Sequence, residues 1–383
     1  MVPPSVRSRR GGRMVTMKDV ADRAGVSTST VSRVLNGKER GRIKPDIAKE
    51  VRRQAKLLGY KPNPVARSLR THSSRILGFV SDEISTTPFS GRIMLGAQDA
   101  ARELGYILLA VNTGNDPELE EQEIDAIKRY GADGFLYAMM YNRPVTVPRS
   151  LDGVPAVLID ARDEDGVRPS ISPDERRIGR DATERLLRAG CRRIMYVGAD
   201  VPLVAQRGRL AGYREALESA GVGADGRLVV AVDEQDTTGE FLRAFEAMRP
   251  DGVFCFNDIR ANLVYRAAAE HGLTVGRDLS VIGVDNQPFI AGILSPALSS
   301  IELPHYEMGY WGVRKLVSLI EDRDIDEGSL EHAPGTHTGD SAGSVAVGAN
   351  DTQHVGVHAQ LPSLKDEQAL IGCVLVDKKS IVA

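Results

Sequence analysis

Residues Val15 to Gly37 read VTMKDVADRAGVSTSTVSRVLNG, and the position of Gly25 in that run decides how the N-terminal part of the chain folds. Thr16-Met17-Lys18-Asp19 has the form of a helix start: the Thr16 hydroxyl can take an orphan backbone N–H, and Asp19 sits favourably in the first turn. Val20, Ala21 and Ala24 then fall on one face, and Gly25 ends the helix as a left-handed cap. Val26 turns inward, Ser27 caps a second helix from Thr28 to about Leu35, and Val31, Val34 and Leu35 of that helix face the first. Two short helices joined by a tight glycine turn form a helix-turn-helix. A third helix, with Pro45 near its first turn and Ile47, Val51, Ala55 and Leu58 inward, ends at Gly59 and supplies the rest of a small all-α core.

Thr28, Ser29, Ser32 and Arg33 lie opposite the apolar stripe of the second helix. Small hydroxyls allow close backbone approach and arginine can grip guanine with two donors, a composition that suits a major groove. The alternative is an ordinary solvated face. Charge favours the groove: the net charge of −3 conceals 19 Lys and Arg against 5 Asp and Glu in residues 1–75, and 30 against 47 in the remainder. A basic head with helical apolar spacing is expected to bind double-stranded DNA, and an acidic body to repel it elsewhere. Tyr60 to Arg70, YKPNPVARSLR, reads as a linker and a short helix capped by Asn63, too short and too basic to stand alone. Leu69 is either an interdomain contact or a wedge for a minor-groove step.

From Ile76 short apolar runs alternate with helical stretches: ILGFV, YILLAV, GFLYAM and PAVLID, then RIMYV, LVVAV, GVFCF and LSVIGV. Strand and helix repeating at this spacing imply parallel sheets covered on both faces. One series begins near 75 and the other near 165, so the expected architecture is α/β, two-lobed, with a cleft between the lobes. Ligands of open α/β sheets bind beyond the carboxyl ends of the strands, where this chain carries Asp160, Asn257-Asp258 and Asp285-Asn286. Any one of these could be a plain loop residue. Together with Arg209, which leads RLAGYREAL, they offer the acceptors and the forked donor that suit a ring of hydroxyls, and a sugar is expected, with a purine or other small polar molecule as the alternative.

The remaining features exclude other classes. Cys191, Cys255 and Cys373 are odd in number and form no CxxC pair, so neither a disulfide framework nor a cysteine metal site is expected. No apolar run has the roughly 20 residues of a membrane span, and Arg7, Arg9, Arg10 and Arg13 precede no signal core, so no membrane contact and a cytoplasmic location are expected. Doubly wound sheets host many enzymes, but no GxGxxG follows a strand and opens a helix, no GxSxG or Walker loop is so placed and no His pairs with a nucleophile at a recognisable position, so no enzyme is expected. A solute-binding protein would share the body but leave the head unexplained. No cofactor and no metal are expected; His332, His337, His354 and His358 fall in a segment rich in Gly, Ser and Thr with no standard ligand spacing.

Val15 to Gly37 together with NPVARSL, Asn63 to Leu69, resembles the head and hinge of the LacI family of bacterial transcriptional regulators. The resemblance implies a repressor with a helix-turn-helix domain and a periplasmic-binding-protein-like effector domain, acting as a homodimer or larger assembly on a pseudo-palindromic operator. It implies that Thr28, Ser29 and Arg33 read bases, that Thr16, Ser27, Thr30, Ser32 and Asn36 contact the backbone, and that Asn63, Ala66 and Leu69 belong to the hinge, with Ala66 and Leu69 entering the minor groove. It places Arg209, Asn257 and Asp285 on the effector with Asp160 beside it; Phe89 stands where the family often offers an aromatic, and a core role fits it equally. Two departures stand out: KERGRIKPD puts Lys44 where a Ser or Thr cap is usual, and Ser172-Pro173-Asp174-Glu175 replaces the frequent Val-Asp-Asn. The organisation expected is a basic tail over 1–14, the head over 15–60, a hinge helix over 61–72 and the effector domain over 75–325 with its second lobe from about 163. A flexible insertion over 328–366 and a closing strand over 367–383 complete the chain.

Overall fold

The computed structural model describes residues 15–37, 39–60, 73–83, 91–223, 225–325 and 359–382. The chain divides into two compact units at Ser74/Arg75. The expected tail, the hinge helix over 61–72, Phe89 and the four histidines from His332 to His358 lie outside the described residues.

Among the described residues the first unit has three helices, α1 (Met17–Ala24), α2 (Thr28–Leu35) and α3 (Pro45–Leu58). Thr16 and Asp19 form a reciprocal capping box, the Asp19 carboxylate accepting from the Thr16 N–H at 2.7 Å. Gly25 has φ 64°, the left-handed geometry that lets α2 turn back on α1. Val20, Ala21, Val31, Val34, Ala48, Val51 and Ala55 form the core. The expectation for Ile47 is corrected: it is 37% exposed and Ala48 takes its place. The buried positions 48, 51 and 55 follow the i, i+3, i+7 stripe, which lies one residue round the helix from the expected one. Lys44 supplies no side-chain cap; Pro45, with no N–H to satisfy, opens α3 instead.

The second unit holds two six-stranded sheets. The first runs β11-β5-β4-β3-β1-β2 and the second β12-β10-β9-β8-β6-β7. Their strands are β1 (Ile76–Ser81), β2 (Ile107–Asn112), β3 (Gly134–Val145), β4 (Ala156–Asp163), β5 (Ser170–Pro173), β6 (Ile194–Ala199), β7 (Val229–Val232), β8 (Gly252–Cys255), β9 (Ser280–Val284), β10 (Ser299–Glu302), β11 (Gln368–Ile371) and β12 (Val374–Val376). All pairings are parallel except β10 with β12. The crossover helices between them are α4 (Gly91–Glu103), α5 (Pro117–Arg129), α6 (Glu175–Arg188), α7 (Val204–Ser219), α8 (Glu240–Met248), α9 (Asp258–Glu270), α10 (Pro288–Ala291) and α11 (His305–Glu321).

Three expected boundaries move. The second lobe begins after Pro173, not near 163, because β5 pairs with β4 and closes the first sheet. The single closing strand is two short ones, β11 parallel to β5 in the first sheet and β12 against β10 in the second. The expected insertion over 328–366 is shorter at its C-terminal end: Leu364 is buried in the first lobe, Trp311 Nε1 donates to the Pro362 carbonyl at 3.1 Å and Lys315 Nζ to the Leu364 carbonyl at 2.9 Å. The chain therefore passes between the lobes three times, after Pro173, after β10 and after β11.

Helices approach closely at glycines. A Cβ on Gly96 would lie 1.9 Å from the Tyr306 carbonyl oxygen, which locks α4 on α11; one on Gly179 would lie 2.0 Å from the Arg209 carbonyl oxygen, which locks α6 on α7. These contacts fix where Glu175 and Arg209 stand.

Candidate functional site

The head presents one continuous polar face. Thr28, Ser29 and Arg33 of α2 are exposed, as are Thr16, Ser27 and Asn36, while Thr30 and Ser32 are half-buried. Several of these also hold the fold. Ser27 Oγ accepts from the Thr30 N–H at 3.2 Å and lies 2.8 Å from Ser29 Oγ, and Asn36 Nδ2 donates to the Ser32 carbonyl at 2.6 Å. Arg33 stands on the last turn of α2, its fork outward. The hinge residues Asn63, Ala66 and Leu69 lie outside the described residues.

In the body the expected residues meet at the strand ends. Asp160, near the end of β4, has φ 52° and is 7% exposed. Arg209 is buried on α7: its Nε donates to Glu175 Oε2 at 2.7 Å, one terminal nitrogen donates to the Phe256 carbonyl at 2.5 Å, and its guanidinium lies 4.5 Å from the Phe256 ring centre. Asn257 caps α9, accepting from the Arg260 N–H at 3.1 Å. Asp285 has φ 101° and accepts from Gln287 Nε2 at 3.1 Å. Burial raises the Asp285 carboxyl above the ordinary range, and Arg209 opposes that rise. Asp160 and Asp285 thus each lie within the electrostatic reach of Arg209, and Asn257 follows Phe256, whose carbonyl Arg209 holds. Phe89 lies outside the described residues.

The structure adds residues that sequence reading missed. Glu175 is buried and takes half of the Arg209 fork, so Arg209 is less free than its sequence position implies. The signal was the Ser172–Glu175 departure. Arg260 is buried under Phe256 and donates to the Gly198 and Val232 carbonyls at 3.2 and 3.1 Å. Asp82, at the end of β1, accepts from the Met140 N–H at 3.1 Å and pairs with Arg143 at 3.2 Å. A cavity of about 430 Å³ opens between the lobes, with Arg92 and Leu95 on one side and Asp285, Gln287, Phe289 and Glu302 on the other; of the expected effector residues it is lined by Asp285 and not by Asp160, Arg209 or Asn257. That volume lies within the range of small-molecule sites.

Comparison with known proteins bears on both units. Residues 16–63 match the family described as bacterial regulatory proteins, lacI family, and residues 183–342 match a periplasmic binding protein-like domain. The HTH-type transcriptional regulator RegA of Clostridium saccharobutylicum is 32% identical over 325 residues, covering 83% of this chain and 96% of its own. This chain belongs to the lacI family. The ribose operon repressor of Escherichia coli is likewise 32% identical, over 84% of this chain and 98% of its own. The transcriptional regulator CelR, solved with cellobiose, superposes with a TM-score of 0.60 at 25% identity, covering 96% of this chain and 99% of that one. Like these relatives, this lacI-family chain is a DNA-binding transcriptional regulator. No described helix is long and apolar enough to cross a membrane.

Proposed function

We propose that this lacI-family regulator is a cytoplasmic repressor, not an enzyme, and that a sugar held between its lobes sets its affinity for the operator. One observation carries the effector reading: three buried polar side chains, Asp160, Arg209 and Asn257, and the half-buried Asp285 come together near the carboxyl ends of strands from both sheets. Buried polar groups demand partners, and a ring of hydroxyls both donates and accepts. The relatives named for ribose and solved with cellobiose agree with that chemistry.

Thr28, Ser29 and Arg33 read bases on this proposal, while Thr16, Ser27, Thr30, Ser32 and Asn36 hold the backbone and Asn63, Ala66 and Leu69 serve the hinge. One head per chain means that a homodimer reads two half-sites. Because the effector is held between the lobes of the body and the head binds the operator, effector and operator affinities are linked reciprocally, by about 1–3 kcal/mol.

The test is a melting-temperature screen of the full chain against monosaccharides, disaccharides, sugar alcohols and purines. A sugar at about 100 times its dissociation constant adds about 2.7 kcal/mol of stability. A shift with one sugar, lost in Arg209→Ala, is expected; a shift with a purine alone overturns the sugar reading. DNA selection that returns only unrepeated half-sites overturns the dimer reading.

A further inference from the structure

Around Asp160 the site holds a second carboxylate, Glu175, and the Arg209 guanidinium; Arg260 is committed to the Gly198 and Val232 carbonyls. Asp160 and Glu175 are each 7% exposed and Arg209 is 3% exposed, so water neutralises none of them. Arg209 has committed its Nε to Glu175 at 2.7 Å and a second nitrogen to the Phe256 carbonyl. Asp160 receives the backbone N–H groups of Tyr141 and Asn142 on one side, and its Oδ1 is buried with no partner. The charges that act on Asp160 are those of Glu175 and, opposing it, the already committed Arg209; the nearby Cys373 thiol, on the crossing between β11 and β12, is pushed up by burial.

A carboxylate with an unsatisfied, buried oxygen and no cation of its own is costly, and the cost disappears if it takes up a proton. We propose that Glu175 is a positioning residue which, by claiming the Arg209 guanidinium, keeps Asp160 in its acid form, so that the cleft offers the effector an O–H donor from the first lobe. The favoured effector then places an acceptor there, a ring oxygen or a carbonyl. This deepens the reading of the cleft as an effector site and rests on it. Burial, followed by the nearby Glu175 charge, pushes the Asp160 carboxyl up to about 8, in the same direction. Gly208 of α7 packs close against Glu175 Cβ, and Gly179 of α6 against the Arg209 backbone, so the two helices hold Glu175 beside Arg209.

The experiment is an infrared difference spectrum of the full chain, wild type minus Asp160→Asn, recorded from about pH 6 to about pH 10. The carbonyl band of a protonated carboxylic acid is expected at neutral pH and should vanish with a midpoint near 8. In Glu175→Gln the band's midpoint should fall by about one pH unit or more, because the neighbouring charge is gone and Arg209 can turn to Asp160. A wild-type spectrum without the band at neutral pH overturns the proposal, and so does a folded Glu175→Gln whose midpoint is unchanged. Glu175→Asn, the residue frequent in the family, replaces it if the glutamine variant does not fold. Calorimetric titration with D-ribose and with cellobiose adds the functional arm. A probe that binds should lose up to about tenfold in affinity per pH unit above the midpoint, and a pH-independent affinity overturns the donor role. Silence of both probes counts against the sugar reading, whereas the infrared arm, which needs no effector, decides the state of Asp160.

Discussion

Arg92 on α4 of the first lobe and Glu302 on β10 of the second stand 2.7 Å apart, an ion pair that joins the two lobes directly. Glu302 also accepts from Asn286 Nδ2 at 3.0 Å, and Asn286 Oδ1 accepts from Lys378 Nζ at 2.6 Å, so the pair is anchored to the loop that carries Asp285. The pair is half-exposed and worth about 0.2–1 kcal/mol. Arg92→Ala is therefore expected to change effector affinity by no more than about fivefold, and raising the salt should erase the difference between variant and wild type. Calorimetry at low and high salt measures it. A change of a hundredfold would mean that Arg92 touches the effector itself.

The two polar surfaces of the head separate by mutation. Arg33→Ala removes an exposed forked donor and is expected to weaken operator binding by about 1–3 kcal/mol while leaving the melting temperature of the head unchanged. Thr16→Ala removes one half of the capping box with Asp19 and is expected to destabilise the head by about 1 kcal/mol. Gel-shift titration on operator and random DNA, paired with thermal melting, tests both. Equal loss on both DNAs for Arg33→Ala would make it a phosphate contact.

How much of this could be read from the chain alone follows from the range of each interaction. The α1–α2 turn was legible because Thr16, Gly25 and Ser27 act within a few residues of one another. The strand-end acids were legible because sheet topology fixes where ligands sit, although Arg209 looked free. Its partner Glu175 lies 34 residues away in sequence, and only the packing of α6 on α7 brings them together. The lobe boundary and the split closing strand were hidden for the same reason. Ser170 pairs with Gln368 across most of the second unit, and no local pattern in either segment records that neighbour. Ile47 was misplaced because a three-residue and a four-residue step suit an isolated apolar residue equally well.

Gly179→Ala is expected to be severe. The new methyl would meet the Arg209 carbonyl at 2.0 Å, and that neighbour is helix backbone, which cannot yield without moving α7. Overpacking of this kind costs about 1–3 kcal/mol or more. Moving α7 also moves Arg209, so effector binding should fall together with stability. Gly223→Ala, where a Cβ meets nothing within 4 Å, is the control and should leave effector binding unchanged. A Gly179→Ala protein with wild-type melting temperature would mean that the two helices slide freely.

The last prediction concerns pH. Asp258 is fully buried at the start of α9, where it accepts from Ser300 Oγ at 2.6 Å and from the Gln287 N–H at 2.7 Å, and burial with the neighbouring Asp285 charge raises its carboxyl well above the ordinary value of 3.8. A carboxyl raised in the folded state holds its proton while the unfolded chain has already released it. The folded state therefore binds more protons over that interval, and stability falls as pH rises through it. Asp160 acts in the same direction. The second unit is accordingly expected to be most stable in mild acid and to lose stability progressively toward neutral and weakly basic pH. In Asp258→Asn, which can accept from the Gln287 N–H and donate to Ser300 Oγ but cannot ionise, the slope should be shallower. Urea denaturation across the pH series measures this, and a variant with the wild-type slope would mean that Asp258 is ionised in the folded protein, its charge carried by the two donors and Lys378.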